Sequence, residues 1–166
     1  YFRHYMGLLN SERLNQILEK YDLEVNFYLH AKFQEYADTF KSISKRIHLI
    51  SFGAVAVNEM LMRCRMLITD YSSVCWDILY QDKPSLFYQF DIEKYNEAHG
   101  SYIDMETELF GDRAATQEQL LDYLEEAVQN DFHLKPEYEK MRGEYLQFKD
   151  HEHSRHICEE IKKRFH

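Results

Sequence analysis

Glycine and proline are scarce: five and two of 166 residues. With so little glycine there is no Gly-rich phosphate loop, and no Lys-Ser/Thr follows one, so a Walker-type nucleotide site is excluded. No repeat or low-complexity segment is present. Cysteine occurs only at Cys64, Cys75 and Cys158, an odd and unclustered set. That argues against a disulfide framework or a zinc site and suits reduced thiols in a cytosolic setting. Basic charge is also lacking. The net charge is −9 and no basic block offsets it, which excludes general nucleic-acid binding. No apolar run reaches the roughly 18–20 residues of a membrane-spanning helix.

What is present is an ordinary globular balance, 45% hydrophobic and 30% charged. The length suits a single domain over residues 1–166 with a real core. Aromatics are plentiful at 15%, with 13 Tyr and 11 Phe. So many tyrosines belong at the rim of a core, where a ligand cleft or a domain interface would use them. The chain opens on Tyr1-Phe2-Arg3-His4-Tyr5, with neither an initiator Met nor a signal-peptide pattern, and reads as the interior of a longer protein.

The organising stretch is Met66 to Tyr88, MLITDYSSVCWDILYQDKPSLFY. Met66-Leu67-Ile68 has the length of a buried strand. Thr69-Asp70-Tyr71-Ser72-Ser73 interrupts it with hydroxyl-bearing and cap-forming residues. A helix over Val74 to Tyr80 and a strand over Ser85 to Tyr88 complete a βαβ unit of a parallel sheet. Ligands of such sheets sit beyond the carboxyl ends of the strands. A helix start there offers free N–H groups and positive potential to an anion. The reading is that Thr69 to Ser73 grips a phosphate; the alternative is that Ser72 or Ser73 only caps the helix.

In chain order, Tyr1 to Asn10 reads as a loop-like lead containing Gly7. Ser11 opens a helix with Leu14, Ile17, Leu18 and Tyr21 on one stripe. Val25 to Leu29 is a strand, Ala31 to Phe40 a helix, Ile47 to Ile50 a strand and Val57 to Cys64 a helix. This regular alternation predicts an α/β fold, a Rossmann-like parallel sheet with helices on both faces. Gln89 to Arg113 shows no period and reads as a long functional loop. Thr116 opens a helix, with Gln119 placed for a capping box and Leu120, Leu121, Leu124, Ala127 and Val128 on its apolar face. Pro136 opens another helix through about Phe148. Asp150 or His151 starts the last.

Several residues are candidates for chemistry. His30 sits at the carboxyl end of a strand on the same sheet edge as Thr69 to Ser73, where an imidazole could reach a diphosphate. Asp70 would repel phosphate and suits orienting the turn or accepting from a ligand hydroxyl. Asp77, four residues after Ser73, places a carboxylate behind the grip for a ribose or glycerol hydroxyl. Arg63 and Arg65 read as surface charges, and Ser51-Phe52-Gly53 as a turn that could hold a base. Of His151, His153 and His156 only the last two share a helix face, and no metal set is complete. Glu106, Glu108 and Asp112 in the long loop have no evident partners.

TDYSS with Asp77, Lys83-Pro84 and the strand that follows resembles the signature of the CDP-glycerol glycerophosphotransferase family, the teichoic acid primases and polymerases. Tyr88 to Tyr95 (YQFDIEKY) and the Gly100-x-Tyr102-x-Asp104 pattern are similar to the family's downstream segment, and the likeness runs from about Val25 to Leu124. It implies the donor-binding, carboxyl-terminal half of a GT-B-type enzyme, which transfers glycerol phosphate from CDP-glycerol to a lipid-linked wall polymer. It implies a cytoplasmic place at the inner face of the bacterial membrane, with peripheral contact made by the rest of the protein. His30, Thr69, Asp70, Ser72, Ser73 and Asp77 become the substrate-binding set. The catalytic base belongs to an amino-terminal domain; no cofactor and no metal is called for. Three departures stand out. Ala31 replaces the proline of a His-Pro motif, Arg65 stands where the family often has an acid, and Phe110 to Arg113 matches a Pro-Gly turn only loosely. The first and last of these leave open a non-catalytic nucleotide-recognition or interaction domain, or a relative that uses CDP-ribitol or a nucleotide-sugar donor.

Overall fold

A computed structural model describes residues 1–29, 33, 36, 38–42 and 44–165. The elements run α1 (Phe2–Leu9), α2 (Glu12–Lys20), β1 (Val25–Tyr28), β2 (Ile47–Ile50), α3 (Val57–Arg63), β3 (Leu67–Thr69), α4 (Cys75–Tyr80), β4 (Ser85–Tyr88), α5 (Ile92–Ala98), β5 (Asp112–Ala114), α6 (Gln117–Gln129), α7 (Pro136–Tyr145) and α8 (His153–Phe165). All strand pairings among the described residues are parallel. They form two ladders, β1-β2 and β3-β4-β5, where the sequence suggested one continuous sheet.

β4 explains the layering. It lies between β3 and β5, and all four of its residues are buried. Alternate side chains of a strand point to opposite faces. Leu86 and Tyr88 therefore join a core with Tyr5, Leu8, Leu14, Leu18 and Leu121 from α1, α2 and α6, and with Ile47 of β2. Phe87 joins a second core with Cys75 and Leu79 of α4, Leu109, Phe110 and Leu134, against which Tyr138 and Met141 of α7 pack. Helices thus cover both faces, and the first core is shared by both ladders.

Local signals set most boundaries. The Ser11 side chain caps α2 by accepting from the N–H of Leu14. Arg13 then ties α2 to α6 through Glu118, Asp122 and Glu125 at 2.9, 2.6 and 2.8 Å. The capping box at α6 is complete: Thr116 accepts from the N–H of Gln119, whose side chain accepts in return. Replacing Thr116 with Ala is expected to cost about 1 kcal/mol, read as a lower urea midpoint with unchanged slope. Lys83 donates to the Leu61 and Met62 carbonyls at 2.8 Å each, placing a cation on the last turn of α3.

Three expectations change, and one lies mostly outside the described residues. The lead is α1, not a loop: Tyr5, Leu8 and Leu9 are buried at helical spacing, and Gly7 lies close to Gln117 of α6. The helix expected over residues 31–40 falls mostly outside the described residues. The long loop over residues 89–113 contains α5 and a turn built on Asp104, which accepts from the N–H of Glu106 and the hydroxyl of Thr107 at 2.8 Å each. The last two helices are shorter than expected, α7 ending at Tyr145 and α8 starting at His153. No described helix is long and apolar enough to cross a membrane.

Candidate functional site

Because β3, β4 and β5 are parallel and in register, Thr69, Tyr88 and Ala114 end on one edge. The chain leaves β3 there as Asp70 to Ser73 and leaves β4 as Gln89 to Asp91. Thr69 is buried within the ladder, paired with Phe87. Asp70 is half-buried, and its Oδ1 accepts from the N–H of Tyr71 at 2.7 Å. Asp70 therefore shapes the turn, one of the roles its charge suggested.

The serines do not cap α4. Val74 is the N-cap residue, and no side chain bonds to the free N–H groups of the helix start. The Ser72 and Ser73 carbonyls accept from Cys75 and Trp76 at 3.3 and 3.1 Å. None of the described residues accepts from the N–H of Ser72, Ser73 or Val74, or from either serine hydroxyl. Ser72 is half-buried and Ser73 exposed. Five neutral donors within three residues thus have no partner among the described residues. At six residues α4 is too short for its macrodipole to dominate, so any pull on an anion comes from these discrete donors.

Aromatic rings wall this edge. Tyr71 stacks on Tyr95 of α5 with ring centres 3.6 Å apart and planes 5° from parallel, and its hydroxyl donates to Asp91 Oδ1 at 2.8 Å. Burial first, then this bond to Asp91, pushes the Tyr71 phenol up, which keeps it a protonated donor. Tyr95 stacks in turn on His99 at 5.3 Å. From the other side, His4 of α1 stacks on Phe90 at 4.0 Å. Tyr1 packs on Phe33 at 4.8 Å, and its phenol is pushed up to about 12 by burial and by Asp70.

Of the residues expected to bind substrate, Thr69, Asp70, Ser72 and Ser73 come together. Asp77 is exposed on the first turn of α4, and its carbonyl accepts from Gln81 at 3.0 Å. His30 lies outside the described residues, so its place opposite the serines stays an expectation. Arg65 pairs with Asp131 at 2.7 Å and lies over the Phe132 ring, and Arg63 is exposed; both are surface charges, as expected. Phe52 is exposed in the turn after β2. His153 bonds to the Tyr80 hydroxyl at 3.0 Å, and His156 pairs with Asp150 at 2.7 Å. Asp112 pairs with Lys135 at 2.9 Å, far from the role of a loop acid without partners. No three described His, Cys, Asp or Glu residues group closely enough to hold a metal ion.

Sequence reasoning missed Gln89, Asp91 and Tyr95. All three lie in YQFDIEKY, a segment that stood out as a pattern without any residue having a task.

Comparison with known proteins extends over nearly the whole chain. The model of the family described as CDP-Glycerol:Poly(glycerophosphate) glycerophosphotransferase matches residues 1–163. The minor teichoic acid biosynthesis protein GgaB of Bacillus subtilis (strain 168) is 25% identical over 150 residues, covering 90% of this chain and 16% of that protein. A teichoic acid glycerol-phosphate transferase of Staphylococcus aureus (strain NCTC 8325 / PS 47) is 27% identical over 146 residues, covering 85% of this chain and 34% of that protein. The chain therefore spans about a third or less of the length of these relatives. The solved structure of the wall teichoic acid polymerase TagF superposes with a TM-score of 0.68 at 21% identity, covering 96% of this chain and 39% of that one. That likeness bears on fold alone, and it agrees with the Rossmann-like α/β half of a GT-B-type arrangement. With the family model covering all but the last residues, the chain belongs to the CDP-glycerol:poly(glycerophosphate) glycerophosphotransferase family.

Proposed function

We propose that this chain is the donor-binding unit of a transferase that moves a polyol phosphate, glycerol phosphate in the first instance, from a CDP-linked donor to a teichoic-acid-type polymer. The observation that carries the reading is the cluster of unengaged N–H and O–H donors at Ser72, Ser73 and Val74 on the carboxyl edge of β3. Neutral donors suit phosphoryl oxygens, and bonds to a charged oxygen are about twice as strong as neutral ones. The acids nearby, Asp70 within the turn and Asp77 on the first turn of α4, suit polyol or ribose hydroxyls, which need acceptors.

In such a transfer an acceptor hydroxyl attacks the phosphorus of the polyol phosphate. The bond from that phosphorus to the bridging oxygen breaks, and CMP leaves with the electron pair. Donors fixed on the diphosphate stabilise the charge that develops on the leaving oxygen. His30 would add a further donor from the end of β1. No residue of this chain is assigned as the base that takes the acceptor's proton. Contact with a lipid-linked acceptor at the inner membrane face would fall to the rest of the protein.

The relatives bear on donor choice. A teichoic acid poly(ribitol-phosphate) polymerase of Bacillus spizizenii is 34% identical over 74 residues. CDP-ribitol is therefore the competing donor. Calorimetric titration with CDP-glycerol, CDP-ribitol, CMP and buffer tests the reading. Weak binding of the cytidine nucleotides is expected, and the Ser72→Ala/Ser73→Ala double variant should lose about tenfold or more in affinity. Heats indistinguishable from buffer for all three ligands would sink it, and would favour an interaction domain that kept the fold.

A further inference from the structure

We propose that the segment after β4 braces the Thr69–Ser73 turn, with Gln89 and Asp91 as positioning residues that hold its donors in place. The proposal deepens the donor-binding reading and rests on it for its purpose, though not for its geometry.

Gln89 is 1% exposed, among the most buried side chains of the molecule. Its Nε2 donates to the Asp70 carbonyl at 3.2 Å and touches Met105 Sδ at 3.7 Å. Its Oε1 is buried without a hydrogen-bond partner. Burying an acceptor unpaired is unfavourable, and Met or Leu would fill the same space without that penalty. What the amide supplies, and an apolar side chain would not, is the bond to Asp70. That bond pins the first peptide of the turn. The Gln89 N–H is in turn fixed to the Ala114 carbonyl at 2.9 Å, so the pin is anchored to the β4-β5 ladder.

Asp91 and Tyr95 hold the next residue. Asp91 accepts from the Tyr71 hydroxyl, and Tyr95 lies flat against the Tyr71 ring. The Tyr95 N–H donates to the Asp91 carbonyl at 3.0 Å, so the first turn of α5 fixes the two relative to each other. The Asp70 carbonyl, the Tyr71 hydroxyl and the Tyr71 ring are thus gripped by one short stretch of chain. The N–H groups of Ser72 and Ser73 follow directly, and their direction is set by the backbone so held. A loop ordered before the ligand arrives does not charge that ordering to the binding step.

The test reads backbone order and binding separately. Amide order parameters near about 0.85 are expected for Ser72, Ser73 and Val74 in the wild-type chain, falling below about 0.6 in Gln89→Met, Tyr71→Phe and Asp91→Ala. Asp91→Asn should restore wild-type values, because its side-chain carbonyl still accepts from Tyr71. CMP affinity should fall about tenfold in the three loosened variants and recover in Asp91→Asn, with thermal midpoints of Tyr71→Phe and Asp91→Asn close to wild type. Unchanged order parameters in Gln89→Met and Tyr71→Phe overturn the brace, whatever the nucleotide does. Loss of order in those variants, in a wild-type chain that binds none of CDP-glycerol, CDP-ribitol and CMP, upholds the brace and overturns the donor-binding reading.

Discussion

Gly111→Ala is expected to lower the unfolding free energy by about 3 kcal/mol or more, enough to leave a chain of this size largely unfolded on mild heating. Gly111 is buried just before β5, where the chain passes close against β4. A Cβ at this position would sit 2.1 Å from the Ser85 carbonyl oxygen and 2.9 Å from Phe87 Cε2. The phenyl ring could tilt, but the carbonyl is backbone of the central strand and cannot. Relief would require β5 to move away, breaking the ladder that pairs Leu86 with Asp112 and Phe87 with Arg113. Gly143, in α7 and with open space around it, provides the control. Gly143→Ala should raise stability by roughly 0.5–1 kcal/mol through helix propensity alone. Urea unfolding of the two variants beside wild type decides the matter. Equal midpoints for Gly111→Ala and wild type would show that the strand has room to give.

Stability should also fall steeply above about pH 10, and Tyr5 with Cys75 should account for a large share. Both are 7% exposed. Tyr5 packs against Phe27, Tyr88 and Phe90, and burial, followed by the nearby Asp70, holds its phenol well above the ordinary tyrosine range. Burial pushes the Cys75 thiol up to about 11. Both are acids whose folded form holds its proton longer than the unfolded chain does. Their stabilisation is complete below the unfolded values, roughly 8.5 for the thiol and 10 for the phenol. It is lost as pH rises toward the folded values. Over that window each group lowers stability by about 1.4 kcal/mol per pH unit. Urea midpoints measured at pH 8, 9.5 and 10.5 should drop with rising slope. The decline should flatten in Tyr5→Phe, which retains the ring but has no proton to lose. A Tyr5→Phe profile parallel to wild type would remove Tyr5 from the account.

The sequence made the sheet-building units legible because their signals were local. Ser11, Thr116 with Gln119, and Pro136 each announce a helix start by side-chain chemistry that acts within one turn. The apolar runs at Val25, Ile47, Met66 and Ser85 are short and bounded by polar turns, as the strands of a parallel α/β unit are. α1 was missed because Gly7 suggested a break, and because the spacing of Tyr5, Leu8 and Leu9 counts as helical only once α6 and Phe90 lie beneath it. The Ser72-Ser73 pair illustrates a different limit. Its composition fits a cap or a ligand grip equally well, and only coordinates show that the hydroxyls leave the helix start alone. Gln89, Asp91 and Tyr95 act on Asp70 and Tyr71 across about twenty positions of chain, a relation that no periodicity encodes. Asp112 likewise looked partnerless until α7 brought Lys135 and Tyr138 to it.

The strand order has a kinetic meaning. Among the described residues β1 pairs with β2, β3 with β4 and β4 with β5, so each strand's partner is its neighbour along the chain. Closing these pairs needs loops of modest length, each with a helix or turn to shorten the search, and topologies of this kind cross their folding barrier faster than ones that join distant segments. The three-strand half, carrying both the serine turn and its supports, has every ladder contact it needs between Leu67 and Ala114. Its ladder can therefore form without the first two strands, while the core beneath Leu86 and Tyr88 closes only when α1, α2 and β2 arrive.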